Sequence, residues 1–161
     1  MQSEHAELNG KRIVVVEDDY LLASDICREL RELGATVLGP APTPFYATQL
    51  IGRRKIDAAV LDVQLHGTTV FDVADLLSNR GVPILFATAY DRAALPSRFR
   101  QSSMLGKPLD RRRLISEIIA MTRRPVAVAS QPELVAASEP PRSTAQFFAK
   151  SLARALGSNL T

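Results

Sequence analysis

The sequence predicts an α/β protein built on an open parallel sheet with helices on both faces. Apolar runs at residues 13–16, 58–61 and 83–87 are continuous rather than alternating, as expected of strands covered on both sides. The stretches between them carry apolar residues at helical spacing. Strand and helix signals alternate five times between residues 11 and 122, the pattern of helices crossing over between parallel strands.

The first strand is the β-branched run Ile13-Val14-Val15-Val16. Leu22, Ile26, Leu30 and Leu33 then mark a helix that stops at Gly34, where glycine suits a helix end. Residues 35–38 form the second strand, and Thr43-Pro44 starts the second helix with a capping hydroxyl followed by proline. The third strand is residues 58–61, followed by a helix over 70–77 that ends before Gly81. Residues 83–87 and 103–105 supply the fourth and fifth strands, and Leu114, Ile118 and Met121 mark a last helix beginning near Leu109. Leu95-Pro96 interrupts residues 91–100; proline disfavours helix at the residue before it, so the fourth helix is expected to be truncated or mobile.

One folded domain is thus expected over residues 9–123. Residues 124–142 are rich in Pro, Ala and Ser and read as a linker. Residues 143–161 form a tail: Ser143-Thr144-Ala145-Gln146 has capping-box form, and Phe148, Leu152 and Leu156 follow at helical spacing. The resulting amphipathic helix would be short, of a length that is marginal in isolation.

Composition narrows the function classes. An apolar share of 46% and a charged share of 23% belong to an ordinary globular protein. No apolar run is long enough for a bilayer, and the amino terminus lacks signal-peptide character. A single cysteine, Cys27, excludes an internal disulfide framework and makes a reducing cytoplasm the expected location. Basic clusters such as Arg53-Arg54-Lys55 and Arg111-Arg112-Arg113 fall at helix ends or outer faces, with no interleaved aromatics. They read as solvated faces, so neither nucleic acid nor membrane is an expected partner.

Ligands of open parallel sheets sit beyond the carboxyl ends of the strands. There the first strand delivers Glu17-Asp18-Asp19, the third Asp62, the fourth Thr88 and the fifth Lys107-Pro108. Carboxylates gathered in one pocket need a hard cation, and Mg²⁺ takes carboxylate and carbonyl oxygens. Asp18 and Asp62 would be direct ligands, Glu17 would act through water, and the backbone carbonyl of Gln64 would add a further ligand. Asp62 could then attack phosphorus, with Lys107 and Thr88 holding phosphoryl oxygens. Each signal has an ordinary reading as well: acids after a strand cap helices, and Asp is a turn residue. Their joint placement at one sheet edge favours the pocket. A phosphatase using an Asp-x-Asp nucleophile would need that motif at the first strand, which this chain lacks.

Ile-Val-Val-Val-Glu-Asp-Asp, Ala-Val-Leu-Asp-Val, Phe-Ala-Thr-Ala and Leu-Gly-Lys-Pro together resemble the receiver domains of two-component response regulators, over about residues 10–122. The resemblance implies a flavodoxin-like (βα)5 sheet of order 2-1-3-4-5, here with a C-terminal extension. It implies Asp62 as phosphoacceptor, Glu17 and Asp18 as acid pair, Thr88 as switch hydroxyl and Lys107 as the paired lysine. It also implies Mg²⁺ as cofactor and a sensor histidine kinase as donor. The segment Pro-Ile-Leu-Phe-Ala-Thr-Ala-Tyr is similar to single-domain alphaproteobacterial receivers that read Phe-Ala-Thr-Gly-Tyr and work with HWE-type kinases, with Ala89 in place of their glycine. Met104 stands where such domains carry Tyr or Phe, so it is expected to pack as core, while Tyr90 and Gln64 flank the site.

The implied function is a phosphoacceptor regulator that signals by conformational change without a DNA-binding effector domain. It would not be an enzyme beyond its own phosphotransfer and dephosphorylation. Its partners would be the kinase, a downstream protein or kinase network, and in one reading a second copy of itself. The alternative is a receiver-like adaptor that acts through the C-terminal helix without phosphorylation.

Overall fold

A computed structural model describes residues 7–123; the expected linker at 124–142 and tail helix at 143–161 lie outside them. The chain forms strand β1 (Arg12–Val16), helix α1 (Tyr20–Glu32), β2 (Thr36–Ala41), α2 (Pro44–Ile51) and β3 (Ala58–Leu61). A short hairpin of β4 (Gln64–Leu65) and β5 (Thr68–Thr69) leads into α3 (Phe71–Asn79), β6 (Ile84–Thr88), β7 (Ser103–Gly106) and α4 (Arg111–Arg123). The five-stranded sheet is parallel, in the order β2-β1-β3-β6-β7. Counted over the long strands, this is the expected 2-1-3-4-5.

Side-chain alternation divides the interior into two apolar layers. Val14, Val16, Ala59, Leu61, Ile84 and Phe86 face α2 and α3, and Ile13, Val15, Ala58, Val60, Leu85 and Ala87 face α1 and α4. Strands β3 and β6 are buried along their whole length, which is why their sequences run apolar without alternation. Cys27 lies in the second layer as a buried free thiol. Thr43 caps α2 by accepting from Tyr46 N at 3.1 Å, with Pro44 at its first position, as its sequence predicts.

Two departures from the sequence expectation have physical causes. The second strand does not end at residue 38 but runs through Gly39-Pro40 to Ala41, with a shift of register between Val14 and Val16. It is the sheet's edge, where a missing proline N–H costs no ladder bond. The other departure is in residues 91–100, which form two single 3₁₀ turns, Arg92–Ala94 and Ser97–Phe99, in place of a fourth helix. The segment is truncated as expected, but its packing is that of a held loop. Leu95 and Phe99 are buried in the α2/α3 layer, and Arg98 bonds Asp75 of α3 through two nitrogens, at 2.7 and 3.0 Å.

Gly39 has φ of +119°, and a Cβ built there would lie 2.6 Å from the Val15 carbonyl oxygen. Both the backbone conformation and the contact require glycine. Gly39→Ala is expected to cost about 3 kcal/mol of stability, read from the denaturation midpoint. A loss below about 0.5 kcal/mol would refute this account of the β1/β2 edge.

Candidate functional site

The site is assembled by backbone bonds that carry the sheet one residue past each strand. Glu17 N donates to Ala41 O at 3.0 Å, Asp62 N to Val16 O at 2.9 Å, and Lys107 N to Thr88 O at 3.1 Å. Because all the strands run parallel, these continuations fall at the same edge. The alternation that turns Val16 and Leu61 inward fixes where the next side chains project. The groups sequence reasoning assigned to separate strand ends are therefore brought together.

Glu17, Asp62 and Thr88 are the buried polar residues of the described chain. Lys107 Nζ lies 2.7 Å from Asp62 Oδ2, and 3.1 and 3.0 Å from the two Glu17 oxygens. Ligand oxygens of Glu17, Asp18 and Asp62 lie within 4.8 Å of one another. Two oxygens bound to one small cation lie up to about 4 Å apart, so a slight contraction would place all three on one ion. The donors are all hard oxygens, and three carboxylates face a single ammonium; both facts fit Mg²⁺.

Gln64 pairs with Thr69 in the hairpin, while Val70 N donates to Val63 O. Bonded and non-bonded pairs alternate in an antiparallel ladder, so the Gln64 carbonyl is not used by β5. That leaves it open to the ligand role expected of it. Thr88 Oγ1 accepts from Tyr90 N at 3.1 Å, and the Tyr90 ring meets Phe71 edge-on at a centroid distance of 6.4 Å. Met104, expected in the core, is half-buried and packs against the α2/α3 layer beside its register partner Phe86, at the margin of the core.

One residue at the site escaped sequence reasoning. His66 N donates to Asp18 Oδ2 at 3.0 Å, and His66 Nδ1 lies 3.6 Å from the same oxygen. The signal available was the His66-Gly67 dipeptide, since X-Gly pairs favour two-residue hairpin turns.

Burial pushes the Glu17 carboxyl up to about 7, against the lowering effect of its bonds from Lys107 and Asp19 N. Lys107 loses water to burial, yet its bonds to Asp62 and Glu17 raise it above the ordinary lysine value. It stays charged at neutral pH.

Without cation, the folded protein holds the Glu17 proton at pH values where an unfolded chain has released it. Stability from this group is therefore full below the ordinary carboxyl value of about 4.3 and is lost as pH rises through about 7. The thermal midpoint of metal-free protein is expected to fall between about pH 5.5 and 8, measured against Glu17→Gln to cancel other groups. Saturating Mg²⁺ should remove the difference, because a cation compensates the bared carboxylate. Parallel curves for wild type and Glu17→Gln in the absence of metal would contradict the burial argument.

No protein-family model matches the chain. It is similar to the transcriptional regulatory protein PdtaR of Mycobacterium tuberculosis, at 29% identity over 134 residues, which cover 80% of this chain and 65% of PdtaR. The chain thus spans about two thirds of PdtaR, and less than half of several further curated relatives. Among solved structures, SdrG from Sphingomonas melonis Fr1 matches at 33% identity and a TM-score of 0.60, over 70% of this chain and 95% of SdrG. SdrG in its BeF₃-activated conformation matches at 32% identity and 0.57, over 69% of this chain and 95% of SdrG. The response regulator TrrA from Thermotoga maritima, solved in complex with Mg²⁺-BeF, shares the fold at 23% identity and a TM-score of 0.60, over 69% of this chain and 98% of TrrA.

Proposed function

The chain belongs to the response-regulator receiver family, and from that premise we propose that it is a Mg²⁺-dependent phosphoacceptor that takes a phosphoryl group on Asp62 from a sensor histidine kinase. The observation that carries the reading is the Asp62 carboxylate, buried at a strand end with Lys107 at 2.7 Å and two further acids beside it. An adaptor independent of phosphate would have no use for so costly a buried group of charges.

In the transfer, an Asp62 oxygen forms the new bond to phosphorus as the bond to the donor nitrogen breaks. Lys107 neutralises charge on the phosphoryl group, and the Thr88 hydroxyl donates to another of its oxygens. Glu17, Asp18, Asp62 and the Gln64 carbonyl would hold Mg²⁺, which when bound neutralises phosphoryl oxygens. TrrA holds Mg²⁺-BeF on the same fold, which supports this assignment.

The remaining steps belong to the same proposal. The donor is an HWE-type kinase, a reading supported by Phe86-Ala87-Thr88-Ala89-Tyr90. The output is a conformational change read by a protein partner, a kinase network or a second copy of the chain, in the cytoplasm. Beyond its own phosphorylation and dephosphorylation the protein catalyses nothing. Among the described residues, no helix is long and apolar enough to cross a membrane.

Intact mass after incubation with acetyl phosphate and Mg²⁺ tests the central step. A base-labile phosphoryl adduct is expected on the wild type and none on Asp62→Asn. Lys107→Met should slow adduct formation about 100-fold, the usual loss for removing one donor to a developing charge. An unmodified wild type, or an adduct that survives in Asp62→Asn, would rule the assignment out.

A further inference from the structure

Residues 91–102, between β6 and β7, are braced from within. Ala94 N donates to Asp91 O, Leu95 N to Arg92 O, Phe99 N to Pro96 O and Ser102 N to Phe99 O. Two arginines strap the same segment together. Arg92 Nη1 donates to the carbonyls of Arg100 and Ser102 at 2.7 and 3.0 Å, and Arg100 Nε donates to that of Leu95 at 3.3 Å. A segment closed on itself in this way can shift as a unit without opening the ladder of the sheet.

A third arginine ties the segment to its surroundings. Arg98 bonds the Asp75 carboxylate of α3 through Nε and Nη2, at 2.7 and 3.0 Å, and its guanidinium lies over the Phe99 ring at 4.7 Å. Phe99 stacks on Phe71, and Phe71 meets Tyr90, whose backbone N–H donates to Thr88 Oγ1. A guanidinium held at two points on a carboxylate is fixed in orientation as well as distance. The pair therefore resists movement of the Phe99 ring beneath it.

We propose that Arg98 and Asp75 form a latch that keeps residues 91–102 in their resting position and so sets how readily Asp62 takes a phosphoryl group. The proposal rests on the reading of Asp62 as phosphoacceptor. Coupling is reciprocal: a contact that favours the resting position weakens any ligand whose binding shifts the segment, by the same factor. Removing the pair should therefore tighten binding at Asp62. Arg98 and Asp75 are 53% and 39% exposed, so the gain is limited to the few-fold that a surface ion pair supplies, and salt screens it.

Calorimetric titration of the full chain with beryllofluoride at saturating Mg²⁺ tests this on wild type, Asp75→Asn, Arg98→Gln and the double variant. Each single variant is expected to bind about threefold tighter than wild type. The double variant should bind no tighter than either single one, since all three lack the same bond. Raising salt from about 0.05 M to about 1 M should close the gap between wild type and variants. Arg28→Gln, which breaks a different exposed pair with Asp25 on α1, should leave the affinity unchanged. Unchanged or weaker binding in the single variants, multiplied effects in the double variant, an equal gain in Arg28→Gln or a gap that persists at high salt overturns the latch and leaves the phosphoacceptor standing. A wild type that binds no beryllofluoride overturns the latch together with that reading.

Discussion

Three carboxylates and one ammonium share the carboxyl edge of the sheet, and two of the carboxylates, Glu17 and Asp62, are buried. Removing one charge of such a group leaves its partner buried and uncompensated, at a cost of about 3–5 kcal/mol. Lys107 is the hinge of the arrangement. It bonds Asp62 and both oxygens of Glu17, yet it can neutralise only one of the two. The pocket is therefore short of positive charge by construction. Burial pushes the Glu17 proton affinity up, while the deficit favours a divalent cation and leaves Asp62 oxygens beside an ammonium that can turn to an incoming anion.

Such a group is stable only if its members cannot move apart, and the rest of the fold supplies that rigidity. Glu17, Asp62 and Lys107 each follow directly on a strand, and the amide of each continues the ladder to the neighbouring strand. The strands are clamped between two apolar layers, so a shift of one strand would carry a row of buried side chains out of register. At the edge, Gly39 lets β2 approach Val15 closely enough to continue to Ala41, whose carbonyl accepts from Glu17 N. A local backbone requirement thus supports the acid pair from outside the site.

Strand-end chemistry was legible in the sequence because a fully buried parallel strand announces itself by an unbroken apolar run, and the residue after the run must lie at the sheet edge. Asp62 after Ala-Ala-Val-Leu and Thr88 after Ile-Leu-Phe-Ala are of this kind. The hairpin was not legible in this way, since strands of two residues carry no measurable period. The 3.0 Å bond from His66 to Asp18 joins positions 48 residues apart in sequence, and nothing in either local pattern reports it. Gly39-Pro40 was read as the end of a strand because those residues ordinarily stop one; only the edge position makes them compatible with its continuation. Pro96 correctly signalled a broken helix, but the sequence did not show that Leu95 and Phe99 would both be buried. Burial there depends on the space left by α3 and β6.

The Thr88 hydroxyl shows how a change at Asp62 would leave the pocket. A hydroxyl has one proton to give and two lone pairs. In the structure one lone pair is taken by Tyr90 N, which leaves the proton free for a phosphoryl oxygen. Binding the phosphoryl group therefore does not require Thr88 to give up Tyr90. If Thr88 is drawn toward Asp62, the amide of Tyr90 is drawn with it. The Tyr90 ring rests on Phe71, Phe71 stacks on Phe99 at 5.9 Å, and Phe99 meets Phe86 edge-on at 5.6 Å. Phe99 belongs to the second of the two 3₁₀ turns, and Arg98 of that turn is tied to α3 through Asp75. Since Met104 already lies packed against the same layer, no rotating aromatic at that position is needed. A displacement that began at this hydroxyl would reach the face of the 91–100 segment through side chains already in contact. Because that segment is anchored at rest by Leu95 and Phe99, the response open to it is a shift of packed groups rather than a gain of order.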